Sequence, residues 1–259
     1  MIDLHNHTPL CNHATGNLKE YVQKAIEKEI KIFGFADHAP MEFDKKYRMN
    51  FEDMKNYENS INSLKNEYKD KIKILLGYEV DFTPKKYLDK RVLNANVDYL
   101  IGSVHFLDNW GFDNPEFIKE WKNRDIDDVY KEYFKYVEEM INSKLFQIIG
   151  HIDLIKVFGF KPKTPIKDLI KNVIKAIKKT NMVVEINTAG LRKPVKEIYP
   201  STEILSLLAD NNINITFSSD AHAPEQVGFK IKEAINLAKD FGYKKATFFE
   251  KKVPYEINI

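Results

Sequence analysis

The chain has 259 residues, 43% hydrophobic and 30% charged, with a net charge of +2; this is ample for one large α/β unit and too evenly charged to argue for a nucleic-acid or anionic-membrane partner. Its lone cysteine, Cys11, excludes an intrachain disulfide and suits a reducing compartment. No apolar run approaches the roughly 18 residues that would span a bilayer, so no membrane partner and a cytoplasmic location are expected.

Short apolar runs rich in β-branched and aromatic residues predict strands over 1–5, 32–37, 73–80, 98–105, 146–151, 182–187 and 213–219. Apolar residues at helical spacing predict helices over 17–29, 51–68, 85–94, 115–142, 166–179, 201–211 and 225–241. Asn114-Pro115 and Thr164-Pro165 each place a capping residue before a proline in the first turn. The tail 244–259 regains strand character at 246–249 and is expected to pack on the outside. No linker, repeat or low-complexity tract interrupts the pattern, so one domain over 1–259 is expected. Strand alternating with helix seven times implies parallel strands joined by crossovers.

The strand ends carry the chemistry. His5 and His7, Asp37 and His38, Glu79, His105, His151, Glu185 and Asn187, and Asp220 and His222 all fall there, with His13 in the loop after the first strand. None of the seven histidines is left over. Parallel strands closed into a barrel put their C-terminal ends on one face, where these residues would meet, and imidazole is the commonest protein ligand for transition metals.

Each motif also has a plainer reading. His5-x-His7 puts two side chains on one side of an extended strand, yet such pairs also arise by chance. Glu79, at the end of an apolar strand, bridges two cations or pairs with a lysine. Asp220-Ala221-His222 either ligates or merely turns the chain toward a helix. Arg192, one of four arginines in a lysine-rich chain, is a phosphate fork or a surface side chain. Lys156 is a second candidate cation for the substrate. Cys11 is a thiolate ligand or a small loop residue. Asp3, Asp37, Asp81 and Asp153 orient imidazoles or are solvated. The loop 106–113 offers an aromatic wall and an acid, or is simply packed. No serine triad, glycine-rich phosphate loop or dinucleotide fingerprint is present.

Taken together, Asp3-Leu4-His5-Asn6-His7, Gly34-Phe35-Ala36-Asp37-His38, Gly77-Tyr78-Glu79-Val80-Asp81, Gly102-Ser103-Val104-His105, Gly150-His151-Ile152-Asp153, the segment from Glu185 to Lys193 and Ser219-Asp220-Ala221-His222 resemble the polymerase and histidinol phosphatase (PHP) superfamily. Within it the chain is similar to the stand-alone histidinol phosphatases. The resemblance implies a distorted seven-stranded (β/α)7 TIM-like barrel with three divalent metals, usually zinc, iron or manganese. It places His5, His7, Glu79 and Asp220 on the first, Glu79, His105 and His151 on the second, and His13, His38 and His222 on the third. It implies hydrolysis of L-histidinol phosphate in histidine biosynthesis, by in-line attack of an activated water on phosphorus. Arg192 and Lys156 would hold phosphate oxygens, and Asp220 or His222 would assist the departing alkoxide. The expected partner is thus a small phosphomonoester. The alternative is a PHP-type phosphoesterase of other specificity, a nuclease or general phosphatase.

Overall fold

The computed structural model describes residues 1–84 and 86–259. Among the described residues eleven strands run in chain order: β1 (Ile2–Asp3), β2 (Ile32–His38), β3 (Lys73–Asp81), β4 (Tyr99–Ser103), a small hairpin β5 (Phe106–Leu107) and β6 (Trp110–Gly111), β7 (Ile148–Ile149), β8 (Val183–Asn187), β9 (Ile215–Ser218), and a terminal hairpin β10 (Lys245–Glu250) and β11 (Val253–Asn258). Seven of them form one sheet in the order β1-β2-β3-β4-β7-β8-β9, with every neighbouring pair parallel. The sheet curls until its edges meet. Leu4 N donates to Phe217 O at 3.0 Å and His7 N to Ala221 O at 2.9 Å, with a parallel bridge between Asn6 and Ala221. This is the expected seven-stranded barrel, distorted at a seam that closes just beyond the ends of β1 and β9.

Helices α1 (Leu18–Glu27), α2 (Met54–Glu67), α3 (Lys90–Leu93), α4 (Ile126–Ser143), α5 (Ile166–Leu169), α6 (Lys171–Thr180), α7 (Thr202–Asp210) and α8 (Ile231–Asp240) supply the crossovers. Helix α1 starts at a reciprocal cap, in which Asn17 accepts from Glu20 N and Glu20 from Asn17 N. It buries Tyr21, Val22 and Ala25 on one face. The helix expected over 115–142 is two pieces. A 3₁₀ segment, Pro115–Asn123, ends at extended Arg124, and Asp125 then caps α4 by accepting from Asp128 N. Residue 85, the first of the helix expected over 85–94, lies outside the described residues, and the helix found is only α3.

Tyr99 crosses the barrel interior from β4 and donates its hydroxyl to Leu4 O at 2.6 Å. Two glycines make room for it. A Cβ on Gly34 would lie 2.0 Å from the Tyr99 hydroxyl, and one on Gly77 2.6 Å from its ring.

The terminal hairpin covers the base of the barrel. Lys251 N and Lys252 N donate to Asp98, which precedes β4, and Lys73 at the start of β3 pairs with Glu250. With the N-terminal strand ends closed by buried Ala246, Phe248 and Phe249, the opposite end is left for the site. Among the described residues no helix is long and apolar enough to cross a membrane.

Candidate metal centre

Parallel register aligns the acids and imidazoles. His38 on β2 sits opposite Glu79 on β3, and Asp81 opposite Ser103 on β4. Glu79, at 1% exposure, is the hub. His38 Nδ1 and His151 Nε2 each lie 2.9 Å from it, His5 Nε2 3.3 Å, His105 Nε2 3.6 Å and His7 Nε2 3.8 Å. Ser103 Oγ donates to the same carboxylate at 2.7 Å. His7 Nε2 also approaches Asp220 Oδ1 at 3.1 Å. His13, His38 and His222 stand together, with ring centroids 4.7 Å apart for His13 and His222 and 5.2 Å for His13 and His38.

The outward-facing nitrogens are fixed. Nδ1 of His5 meets Glu185 Oε1 at 2.7 Å, that of His7 meets Asp37 at 3.2 Å, and that of His105 meets Asp81 at 2.7 Å. His13 Nδ1 meets Cys11 O at 2.8 Å and His222 Nδ1 meets Asp220 O at 3.2 Å. In all five rings Nε2 is left for the interior, the arrangement by which a partner sets the tautomer of a ligating histidine. Asp81 is held in turn by Arg48, whose Nη1 lies 2.9 Å away and which is only 3% exposed.

The cluster fits divalent cations. His5 Nε2 and His7 Nε2 are buried without a hydrogen-bond partner, and leaving such a group unsatisfied costs about 1–3 kcal/mol. Donor atoms of His5, His7 and Glu79, of Glu79, His105 and His151, and of His7, His38 and His222 lie within 4.8 Å of one another. Cys11 groups similarly with His13 and His222. Burial opposes charge on Glu79, yet His5, His38 and His105 hold its carboxyl well below the usual range. The same opposition applies to His5, which Glu185 and Glu79 raise well above its ordinary value. His38, desolvated and beside His7, is lowered to about 4 despite Glu79. Such a site demands positive charge but cannot place a proton on every ring, which is the electrostatic signature of a cation site.

A cavity of about 680 Å³ opens onto these residues and is lined also by Arg192, Lys193, Asp113, Phe106 and Tyr47. Arg192 is brought to it with half its fork engaged. Its Nη2 donates to Ser219 O and Asp220 O at 2.9 Å each, while Nη1 is buried and unpartnered. Of the fork considered from sequence, Nη1 is thus the terminal nitrogen without a protein partner. Lys156 is not brought to the cavity. The 3₁₀ turn Leu154–Lys156 turns its ammonium back to Asp153 at 2.8 Å, Glu197 at 2.9 Å and Ile198 O at 2.8 Å. A buried ammonium so fully paired has nothing left for a phosphate, and Lys193 lines the cavity instead.

Of the four aspartates expected to orient imidazoles or face solvent, Asp37 and Asp81 do the former. Asp3 instead ties the barrel seam through Ser219, Asn6 and Gly228, and Asp153 binds Ser201 N and Lys156. Glu185 was placed at a strand end but given no role, and Arg48 was missing from the candidates. For Glu185 the signal was present, as an acid buried at a strand end.

A family profile for the PHP domain matches residues 3–189. The chain belongs to the PHP domain family. Among PHP relatives, a probable histidinol-phosphatase of Deinococcus radiodurans is 38% identical over 257 residues, covering 98% of each chain. One of Schizosaccharomyces pombe is 30% identical, covering 93% of this chain and 85% of the other. Among solved structures, the histidinol phosphate phosphatase of Lactococcus lactis, complexed with zinc, L-histidinol and phosphate, superimposes with a TM-score of 0.81 over 98% of each chain at 21% identity. That last likeness concerns the fold alone.

Proposed function

We propose that this PHP protein is a metal-dependent phosphomonoesterase that hydrolyses L-histidinol phosphate to L-histidinol and inorganic phosphate in histidine biosynthesis. The observation that carries the reading is the gathering of five imidazoles, Glu79 and Asp220 at one cavity, with His5 and His7 buried against the same two carboxylates, in a chain 38% identical to a probable histidinol-phosphatase over 98% of its length. Residues 1–259 act as one domain, because Asp220 and His222 come from beyond the profile match at 3–189 and still join the same cluster.

Three divalent cations would be held by His5, His7, Glu79 and Asp220, by Glu79, His105 and His151, and by His13, His38 and His222. Zinc, iron and manganese all suit such imidazole and carboxylate donors. Bound there, they supply Lewis acidity, lowering the pKa of water to about 7 and neutralising phosphoryl oxygens. The chain's own groups do the rest. Nη1 of Arg192 offsets charge on a non-bridging oxygen, and Lys193 at the rim attracts the phosphate dianion. Asp220 or His222, both lining the cavity, would assist the departing alkoxide. Phe106 and Tyr47 wall the cavity where the imidazole would lie.

Parallel assays with L-histidinol phosphate, an aryl phosphate and single-stranded DNA test the reading. Histidinol phosphate is expected to be turned over with the highest kcat/KM. Degradation of DNA without release of phosphate from histidinol phosphate would contradict it.

A further inference from the structure

The acids lining the cavity are Asp44, Glu79, Asp81, Asp113, Glu116 and Asp220. Five of them are engaged. Asp44 pairs with Arg48 at 3.2 Å, Asp81 with Arg48 and His105, and Glu116 with Lys46 and the Tyr47 hydroxyl, both at 3.0 Å. Glu79 and Asp220 are enclosed by imidazoles. Asp113 differs. It is half-buried, and among the described residues its carboxylate has no hydrogen bond and no ion pair.

The backbone beneath it is closely packed. Phe112, its neighbour, is fully buried, packs edge-on against Tyr133, and accepts from Trp121 Nε1 at 2.9 Å. Trp110 packs on Trp121, and Asn114 N donates back to Gly111 O at 3.2 Å. A side chain carried on such a frame is held in place before any ligand arrives. Burial pushes the Asp113 carboxyl up from its ordinary range, against the pull of His105 and Lys193 and with repulsion from Asp81. An incoming organic cation is the partner it lacks.

L-Histidinol phosphate carries such a cation. Its ammonium sits on the carbon next to the CH₂ that bears the phosphate ester, so a phosphate seated at the imidazole cluster brings the ammonium only a few bonds away. Asp113 lines the same cavity as His105 and His151 of that cluster. Phe106 and Phe117 line the same cavity. We infer that Asp113 is the acceptor for the substrate ammonium and sets a preference for phosphate esters of amino alcohols over amine-free ones. This inference rests on the proposed phosphatase activity and adds a specificity-determining contact to it.

The test compares kcat/KM for L-histidinol phosphate with that for its deamino counterpart, 3-(imidazol-4-yl)propyl phosphate, in wild type, Asp113→Asn and Asp113→Glu. In Asp113→Asn the ratio of the two is expected to fall about 10- to 100-fold, the range for a lost charge-assisted hydrogen bond, and mainly through KM. Asp113→Glu should restore part of the ratio. An unchanged ratio in Asp113→Asn would overturn the inference, and so would an equal loss on both esters, because either result separates Asp113 from the amine. Should Asp113→Asn fail to fold, as judged by circular dichroism, Asp113→Ser serves for the same comparison. Absence of wild-type turnover of L-histidinol phosphate would overturn the phosphatase reading together with this one, whereas wild-type turnover with an unchanged ratio sinks this one alone.

Discussion

Five of the seven imidazoles at the site are specified twice, once by the nitrogen that faces the interior and once by the partner behind it. The partner behind His105 is Asp81, at 2.7 Å. Asp81→Asn keeps the shape but removes the charge that orients the ring, and such losses typically weaken metal affinity about 10- to 100-fold. Metal analysis after dialysis against a mild chelator should show a drop of that order, with the fold intact. His105→Ala should abolish phosphate release while far-UV circular dichroism stays native. Unchanged activity in that variant would remove the His105 and His151 pair from the mechanism. Arg48→Met leaves the buried Asp81 carboxylate without its guanidinium, and breaking a buried pair in this way costs about 3–5 kcal/mol, to be read from urea unfolding. The interior-facing histidines were legible because all but His13, in the loop after the first strand, fall at a predicted strand end. Asp37 and Asp81 were legible as possible orienting acids, but which ring each partner meets was not, because Asp81 meets His105, and Glu185 meets His5, only through the register of the barrel. Lys156 misled for a related reason. Proximity to His151 in sequence suggested the cavity, but a single tight turn sends its ammonium to Asp153 and Glu197 instead.

At the level of elements, the strands were legible by composition and their lengths were not. β3 runs its full expected course, whereas β1 and β7 keep only two residues each in the ladder, because the chain leaves the sheet early to deliver His5, His7 and His151. The break before α4 was marked by Asp125, an N-cap inside what otherwise reads as one amphipathic stretch. The crossing of the barrel by Tyr99 was hidden, since it requires two glycines from neighbouring strands. Gly34→Ala drives a methyl group to within 2.0 Å of the Tyr99 hydroxyl, and overpacking of this kind typically costs about 1–3 kcal/mol. Adding Tyr99→Phe removes the clashing oxygen and should recover part of that loss, although it gives up the bond to Leu4 O. Chemical denaturation of the single and double variants checks the coupling. Additive losses would show that the ring and the glycine do not meet.

For the whole molecule, the terminal hairpin covers one end of the barrel and the imidazoles occupy the other. The tail was expected on the outside, and its strand character was correctly legible. What sequence withheld is that Asp98 and Lys73, both at the starts of strands, hold it under the base. A closed base leaves one mouth, and that mouth contains buried imidazole nitrogens without partners. Cations bound there should stabilise the fold by mass action, by about 4 kcal/mol at a thousandfold excess over Kd. Prolonged chelation should therefore lower Tm, and restoring metal should recover it. The most direct test follows phosphate release from L-histidinol phosphate while zinc, iron(II) or manganese is titrated into the stripped protein, with bound metal counted in parallel. Activity should return as occupancy climbs and level off near three ions per chain. Full turnover by metal-free protein, or ions bound at this mouth with no phosphate released, would contradict the account.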